Sequence, residues 1–444
     1  MQIDRLPGLY YEENVTYELS GVGSKIPIFI GRTGNTGSDE HKVDGTEVLK
    51  FTRKSDALAD TTKGGIGAYY GEVDEETTVI NPNNKLARVI SEFFDEARLT
   101  SADEIGVPYI YVIDVGNGET YTSWTNAVKT SKTLLDASVE VYVGAYIAQT
   151  KEDDPQTEGD ESKKEVVISK KGNEFVTLIG FLSQVADGFA PRVSDEDPYD
   201  DYGLRGSARN LDLRYAFASF EAQGTHVYPT PQSDEDRISD DIFLKGLTDS
   251  NGFRYSRVGI CEPLLFGKTI ARICCTPNNT EPGYYTYRSV ETGTFNKRTK
   301  AEMLDLQNAG IIFNNDEHIN DKIYPKINLC VSTSFARNPR PADSMFHARF
   351  NADSLLRDVF EACYNQIKAN ESATNIAYLQ TRVNKLVNDR VVSEEMVKYN
   401  EKTGKGTKLI VTATEDDPYR LVVSGQIHPI KCTIAILINA TVVI

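Results

Sequence analysis

The chain has 444 residues, with 65 acidic against 48 basic side chains and a formal net charge of −17. That balance excludes a binder of phosphate backbones, which needs clustered Lys and Arg. Hydrophobic residues at 40 % and charged residues at 25 % exclude a disordered chain, and the length accommodates two or three folded units.

Met1 to Leu6 carries one Asp and one Arg, and no apolar stretch follows, so no secretory leader is expected. No apolar run is long enough to span a bilayer, and a protein soluble in the cytoplasm is expected. Residues 1–35 read as an extended arm and a first strand. Leu6-Pro7-Gly8-Leu9 is a turn, Leu9 to Leu19 is rich in Tyr, Val and Glu, and Ile26 to Gly31 is a short buried strand. Pro27 lacks an N–H and suits the start of that strand or an edge position. Residues 36–80 are polar and glycine-punctuated, a small β-rich insertion.

Residues 81–330 form a central α/β region. Asn81-Pro82-Asn83 introduces a helix with Leu86, Val89, Ile90, Phe93, Phe94 and Ala97 at 3.6-residue spacing. The run Tyr109 to Ile113 predicts a strand covered on both faces. A helix around Trp124–Asp136 and a strand over Val139–Ile147 complete a right-handed parallel crossover. Lys151 to Lys164 is an acidic outward loop, followed by a strand at Val166–Ile168. A helix then buries Phe175, Leu178, Ile179, Leu182 and Val185, and an acidic loop covers 191–205. Arg257–Cys261 and Thr269–Cys275 read as strands, the second because IARICC alternates. Thr299-Lys300-Ala301-Glu302 is a capping box and Gly310 ends its helix. Ile327–Thr333 reads as another strand.

Residues 331–444 predict a helix pair and a hairpin. The first helix buries Leu356, Val359, Phe360, Cys363, Tyr364 and Ile367; the second buries Ile376, Leu379, Val383, Leu386 and Val387. Strands follow over Lys408–Thr414 and Arg420–Gln426, then from Lys431 onward. The fold class expected is α/β (α+β overall). It has a central mixed sheet flanked by helices, a β-rich insertion, a C-terminal helix pair with a β-hairpin, and extended N- and C-terminal arms.

Chemical motifs point nowhere. The five histidines, His41, His226, His318, His347 and His428, include no i, i+4 pair. Gly267-Lys268-Thr269 imitates the end of a phosphate loop, but Glu262 stands where its first Gly belongs. Gly21-x-Gly23 lacks the third Gly of a dinucleotide loop, with Ile26 in that place. The six cysteines form no C-x-x-C pair and read as reduced core residues. Acidic turns before Pro155, Pro198 and Pro418 are far apart and read as solvated loops. No catalytic, cofactor or metal residue is assigned.

The chain ends are unusual. After Lys431 no charged side chain occurs, and Cys432 to Ile444 has strong β-propensity. Such a strand, left exposed, is an aggregation hazard, so it must pair either within its own sheet or with a neighbouring subunit.

The runs Leu6-Pro7-Gly8-Leu9-Tyr10-Tyr11-Glu12-Glu13, Gly21-Val22-Gly23-Ser24 and Ile28-Phe29-Ile30-Gly31 carry a likeness: here the sequence resembles the start of contractile tail-sheath proteins. Further along the likeness is carried by Leu304 to Ile312 with Asn308-Ala309-Gly310-Ile311, and by Gly425 to Ile430. Leu329-Cys330-Val331-Ser332-Thr333-Ser334 departs from the family's Trp-Gly stretch, and 36–80 and 150–256 carry no likeness. The resemblance implies a non-enzymatic subunit of stacked hexameric rings around an inner tube. Such a sheath contracts to drive the tube through a target envelope. It implies partners: itself, an inner tail-tube protein, and baseplate and tail-terminator proteins, with no nucleic acid, no direct membrane insertion and no cofactor. It places the protein in a virion tail or injection particle, and in the host cytoplasm before assembly. Mapped onto this chain, Leu9, Tyr11, Val15 and Tyr17 belong to the entering arm and Ile434, Ile436, Ile438 and Val442 to the exiting one. Arg382, Lys385 and Arg390, on the polar side of the second C-terminal helix, are the tube-facing candidates. The alternatives are an α/β hydrolase-like enzyme and a non-contractile viral or surface lattice protein.

Overall fold

The computed structural model describes residues 25–35, 42–67, 70–74, 77–80, 84–97, 107–116, 141–145, 215–219, 257–295, 298–319, 321–336, 344–364, 373–413 and 421–430, with Tyr255 and parts of 123–131 and 241–248. The strands are β1 (Pro27–Gly31), β2 (Leu49–Phe51), β3 (Tyr70–Asp74), β4 (Thr77–Ile80), β5 (Ile110–Asp114), β6 (Val141–Ala145), β7 (Tyr215–Ser219), β8 (Val258–Cys261), β9 (Ile311–Ile312), β10 (Asn314–Ile319), β11 (Lys322–Ile327), β12 (Lys408–Ala413) and β13 (Leu421–Gln426). The longer helices are α1 (Lys85–Glu96), α2 (Phe266–Cys275), α3 (Lys300–Asn308), α4 (Phe346–Tyr364) and α5 (Ala373–Val392).

Seven strands form one sheet in the order β2-β5-β1-β6-β7-β8-β9. Its pairings are parallel except that of β2 with β5, so the sheet is mixed. Parallel strands covered on both faces read as continuous apolar runs, and β1, β5, β7 and β8 are buried at every position. Successive side chains alternate between two cores. Phe29, Ile110, Val112, Tyr215 and Phe217 face α1, α2 and the first turns of α4. Ile28, Ile30, Ile113, Ala216 and Ile260 face Trp124, Ala127, Leu244 and Leu306 of α3. A third core joins Leu355 and Val359 of α4 to Leu379 and Val383 of α5, Met396, and Leu409 and Val411 of β12. Helix α4 therefore belongs to two cores, its first turns to the main body and its remainder to the C-terminal unit.

Local signals account for several boundaries. Asn84 caps α1, accepting from the Ala87 N–H at 2.9 Å. The Thr299 capping box is present, and Gly310 leaves α3 with φ +74°.

Two strand expectations are corrected. IARICC is helix α2, not a strand. Its apolar residues fit both periods, and a short run buried all round has no polar face to decide between them. The segment Ile327–Thr333 is the end of β11 followed by irregular chain, with a bridge from Val331 to Met345 and a 3-10 turn at Thr333–Ala336. Strands β5 and β6 run parallel, as the crossover reading expects, with β1 between them. In the insertion, β2 joins the edge of the main sheet, β3 and β4 form a separate hairpin, and a short helix covers Lys54–Ala57. Leu355 rather than Leu356 is the fully buried residue of its α4 turn. The side chains of Phe360 and Tyr364, and Ile367 as a whole, lie outside the described residues, as do the strand and helix expected over 166–186 and the loops at 151–164 and 191–205.

Candidate assembly interface

The C-terminal hairpin is a two-stranded sheet, a unit of marginal stability unless it packs on something. It packs on α5 through Leu409 and Val411, while Ile410 on the other face is 43 % exposed. The Gln380 side chain of α5 reinforces that contact. Its amide donates to the Leu409 carbonyl at 3.0 Å and accepts from the Val411 N–H at 2.8 Å. A side-chain amide thus takes the place of a neighbouring strand along β12. Among the described residues, no segment pairs with the opposite edge of β13.

Of the three tube-facing candidates on α5, Lys385 is exposed and Arg382 half-buried. Arg390 is a correction, being only 5 % exposed. Its guanidinium donates to Asp358 at 2.6 Å and Ser354 Oγ at 2.8 Å, both on α4, and to Glu395. Burial opposes its charge, yet Asp358 and Glu395 hold its pKa above the usual value. Leu379, Val383, Leu386 and Arg390 follow one another at spacings of four, three and four, so Arg390 continues the apolar face. That spacing was the missed signal. The arm residues Leu9, Tyr11, Val15, Tyr17, Ile434, Ile436, Ile438 and Val442 lie outside the described residues.

Among the described residues, the ends of β1 and β5, where an enzyme of this architecture holds a ligand, are bridged by the chain's own bonds. Doubly wound sheets bind ligands beyond the strand ends where the order reverses, here after β1, β5 and β6. The Thr33 and Gly34 N–H groups both donate to the Gly116 carbonyl at 3.1 Å. The Asp114 carboxylate accepts from Thr33 Oγ1 at 2.8 Å and from the Gly116 N–H at 2.7 Å. The Thr33, Gly34 and Gly116 amides are committed to these bonds, and the buried Asp114 carboxylate lies beside them. Lys268 donates to the Ser289 carbonyl at 2.7 Å and Thr269 bonds within the core, so neither faces a nucleotide. An open cleft of about 480 Å³ is lined by Arg298, Asp316, His318 and Asn328 among others. Some of its polar groups are engaged, Arg298 holding Asp241 and Glu262 and one Asp316 oxygen accepting from the Gly293 and Phe295 N–H groups, while Asn315 Oδ1 and the other Asp316 oxygen have no hydrogen-bond partner among the described residues. Among the described residues no three His, Cys, Asp or Glu side chains converge as a metal set, and no helix is long and apolar enough to cross a membrane.

Charge inside the fold is spent on structure. Asp353 of α4, fully buried, receives Arg257 in a bidentate bond at 2.7 and 2.9 Å, the Tyr215 hydroxyl at 2.7 Å, and Arg349. Arg272 of α2 pairs with Glu96 of α1 at 2.7 Å, both out of solvent. A guanidinium fork suits such buried pairs. Composition does not reveal which of the many charges turn inward.

No protein-family model matches the sequence, and no curated protein matches it. The fold is similar to solved contractile sheaths. One is the sheath complex of PVC, an extracellular contractile injection system, in its contracted state. It has 10 % identity and a TM-score of 0.55, over 94 % of this chain and 91 % of that one. Another is the helical sheath of the anti-feeding prophage (AFP), in its contracted state. It has 9 % identity and a TM-score of 0.56, over 94 % of this chain and 93 % of that one. At these identities the likeness is one of fold.

Proposed function

We propose that this chain is the structural subunit of a contractile tail sheath, a protein that works by assembling and not by catalysis. The observation that carries the reading is the extent of the fold likeness: both sheath structures cover 94 % of the chain, so main sheet and C-terminal unit match together. The commitment of strand-end amides and buried charges to internal bonds supports the same reading.

In this proposal, copies form stacked hexameric rings around an inner tail tube, between a baseplate and a tail terminator. Segments 9–19 and 433–444 add strands to neighbouring copies, which suits a hairpin with one unpaired edge among the described residues. Contraction is a rigid-body re-pairing of larger surfaces, driven by the difference in contacts between two states and needing no nucleotide. Arg382 and Lys385 face the tube; Arg390 does not. The particle is a virion tail or injection device, and the subunit is made in the host cytoplasm.

Negative-stain microscopy of the purified full chain tests this. Helical tubes are expected, and a second, wider diameter after treatment with mild denaturant. Flat sheets or closed shells would replace the proposal with a static lattice, and discrete particles would reject assembly altogether.

A further inference from the structure

Lys25 is the first described residue after segment 1–24, and Ile430 is the last before segment 431–444. The two are distant in sequence, yet both are fastened to the first turns of α4. Lys25 is 1 % exposed, an unusual place for an ammonium group. Its Nζ donates to the carbonyls of Thr276 at 2.6 Å and Ile273 at 3.3 Å. These carbonyls belong to the C-terminal end of α2, where unsatisfied acceptors and the helix dipole favour a cation. The same Nζ stands 4.5 Å from the centroid of the Phe350 ring. Phe350 lies one turn after His347 on α4.

His347 is 2 % exposed and its imidazole donates to the backbone of Ile430. The Ile430 N–H donates in turn to the Glu395 carbonyl at 2.9 Å. Glu395 pairs with Arg390, which returns to Ser354 and Asp358 on α4. Lys25 and His347 are close enough for the ammonium to help depress the imidazole pKa, after burial itself.

We propose that Lys25, Phe350 and His347 form a clamp that couples the roots of the two terminal segments through α4, so that loosening one root loosens the other. The coupling rests on α4 being shared by the main core and the C-terminal core. In the assembly reading above, a load arriving on one arm passes along this helix to the other arm.

Amide hydrogen exchange on the unassembled full chain tests the clamp. Lys25→Met keeps the buried stem and removes the donors. Exchange of the Ile430 amide is expected to accelerate roughly tenfold, within the usual range of site-to-site coupling. His347→Leu is expected to accelerate exchange near Ile273–Thr276 by a similar factor, because binding linkage is reciprocal. Thr299→Ala, which weakens α3 instead, controls for general destabilisation and is expected to leave Ile430 unchanged. Unchanged Ile430 exchange in Lys25→Met, or equal acceleration in Thr299→Ala, overturns the clamp. Neither readout requires tubes. A coupled chain that builds no tubes sinks only the sheath reading, and tubes built by an uncoupled chain sink only the clamp.

Discussion

Glu281 is a buried carboxyl whose direct partners are backbone donors, the Cys330 N–H at 2.7 Å and that of Gly283. Burial pushes its pKa up to about 7, from 4.5 in the open chain. Between those values the folded chain holds a proton that the unfolded chain has released, so stability falls as pH rises through the window. The full swing is on the order of 3 to 4 kcal/mol at most, taking about 1.36 kcal/mol per pKa unit. His347 acts in the opposite sense. Burial lowers its pKa to about 4 from 6.5, so the unfolded chain takes up the proton first and stability is lost as pH falls through that range. From pH 4.5 to 6.5 the two contributions oppose each other. Glu281→Gln removes one of them. Relative to the parent, its urea midpoint is expected to gain steadily from pH 4.5 to about 7 and to hold level above that. A variant with the parent's profile would show that Glu281 does not carry the slope. Neither group was legible in the sequence as more than a Glu before Pro282 and an isolated His, because burial of a single polar residue is a property of its surroundings and not of its spacing.

At the scale of elements, the crossing of α1 and α2 is a tight contact controlled by one residue. A Cβ on Gly267 would sit 2.0 Å from the Val89 carbonyl oxygen and 2.7 Å from Glu92 Cβ. The Gly267 N–H also donates to Glu92 Oε2 at 3.0 Å. Gly267→Ala must push the helices apart, at a cost of roughly 3 kcal/mol, the upper end of ordinary overpacking. The expected readout is a lower urea midpoint with an unchanged slope; a loss under about 1 kcal/mol would mean that α2 slides freely. This contact explains what periodicity could and could not reveal. Helix α1 was legible because Leu86, Val89, Ile90 and Phe93 are buried on one face and polar residues mark the other. Helix α2 was not, because all ten of its residues are buried, Lys268 and Arg272 included. With no exposed face the helical period loses its contrast, and Cys274-Cys275 after Ile273 reads equally well as a strand. Arg390 failed for a related reason: a charged residue was placed outward by its chemistry although its spacing placed it inward.

At the scale of the whole molecule, the uncharged run after Lys431 lies outside the described residues, among which the three cores reach as far along the chain as Ile427. Deleting 433–444 separates the two fates of that run. If its apolar residues pair within the chain's own sheet, removing even three buried aliphatic side chains costs about 5 kcal/mol or more. The monomer would then melt many degrees lower. If the run adds to a neighbouring copy, the isolated chain loses nothing, and its melting temperature is expected to stay within about 2 °C of the parent. Tube formation is then expected to disappear. A truncated chain that melts normally and still builds tubes would sink the strand-addition model. One that melts low would return the segment to its own fold. The sequence made this question visible because a run without charge needs a partner wherever it goes. It could not name the partner, since β-propensity is the same whether the adjoining strand belongs to the same chain or to the next one.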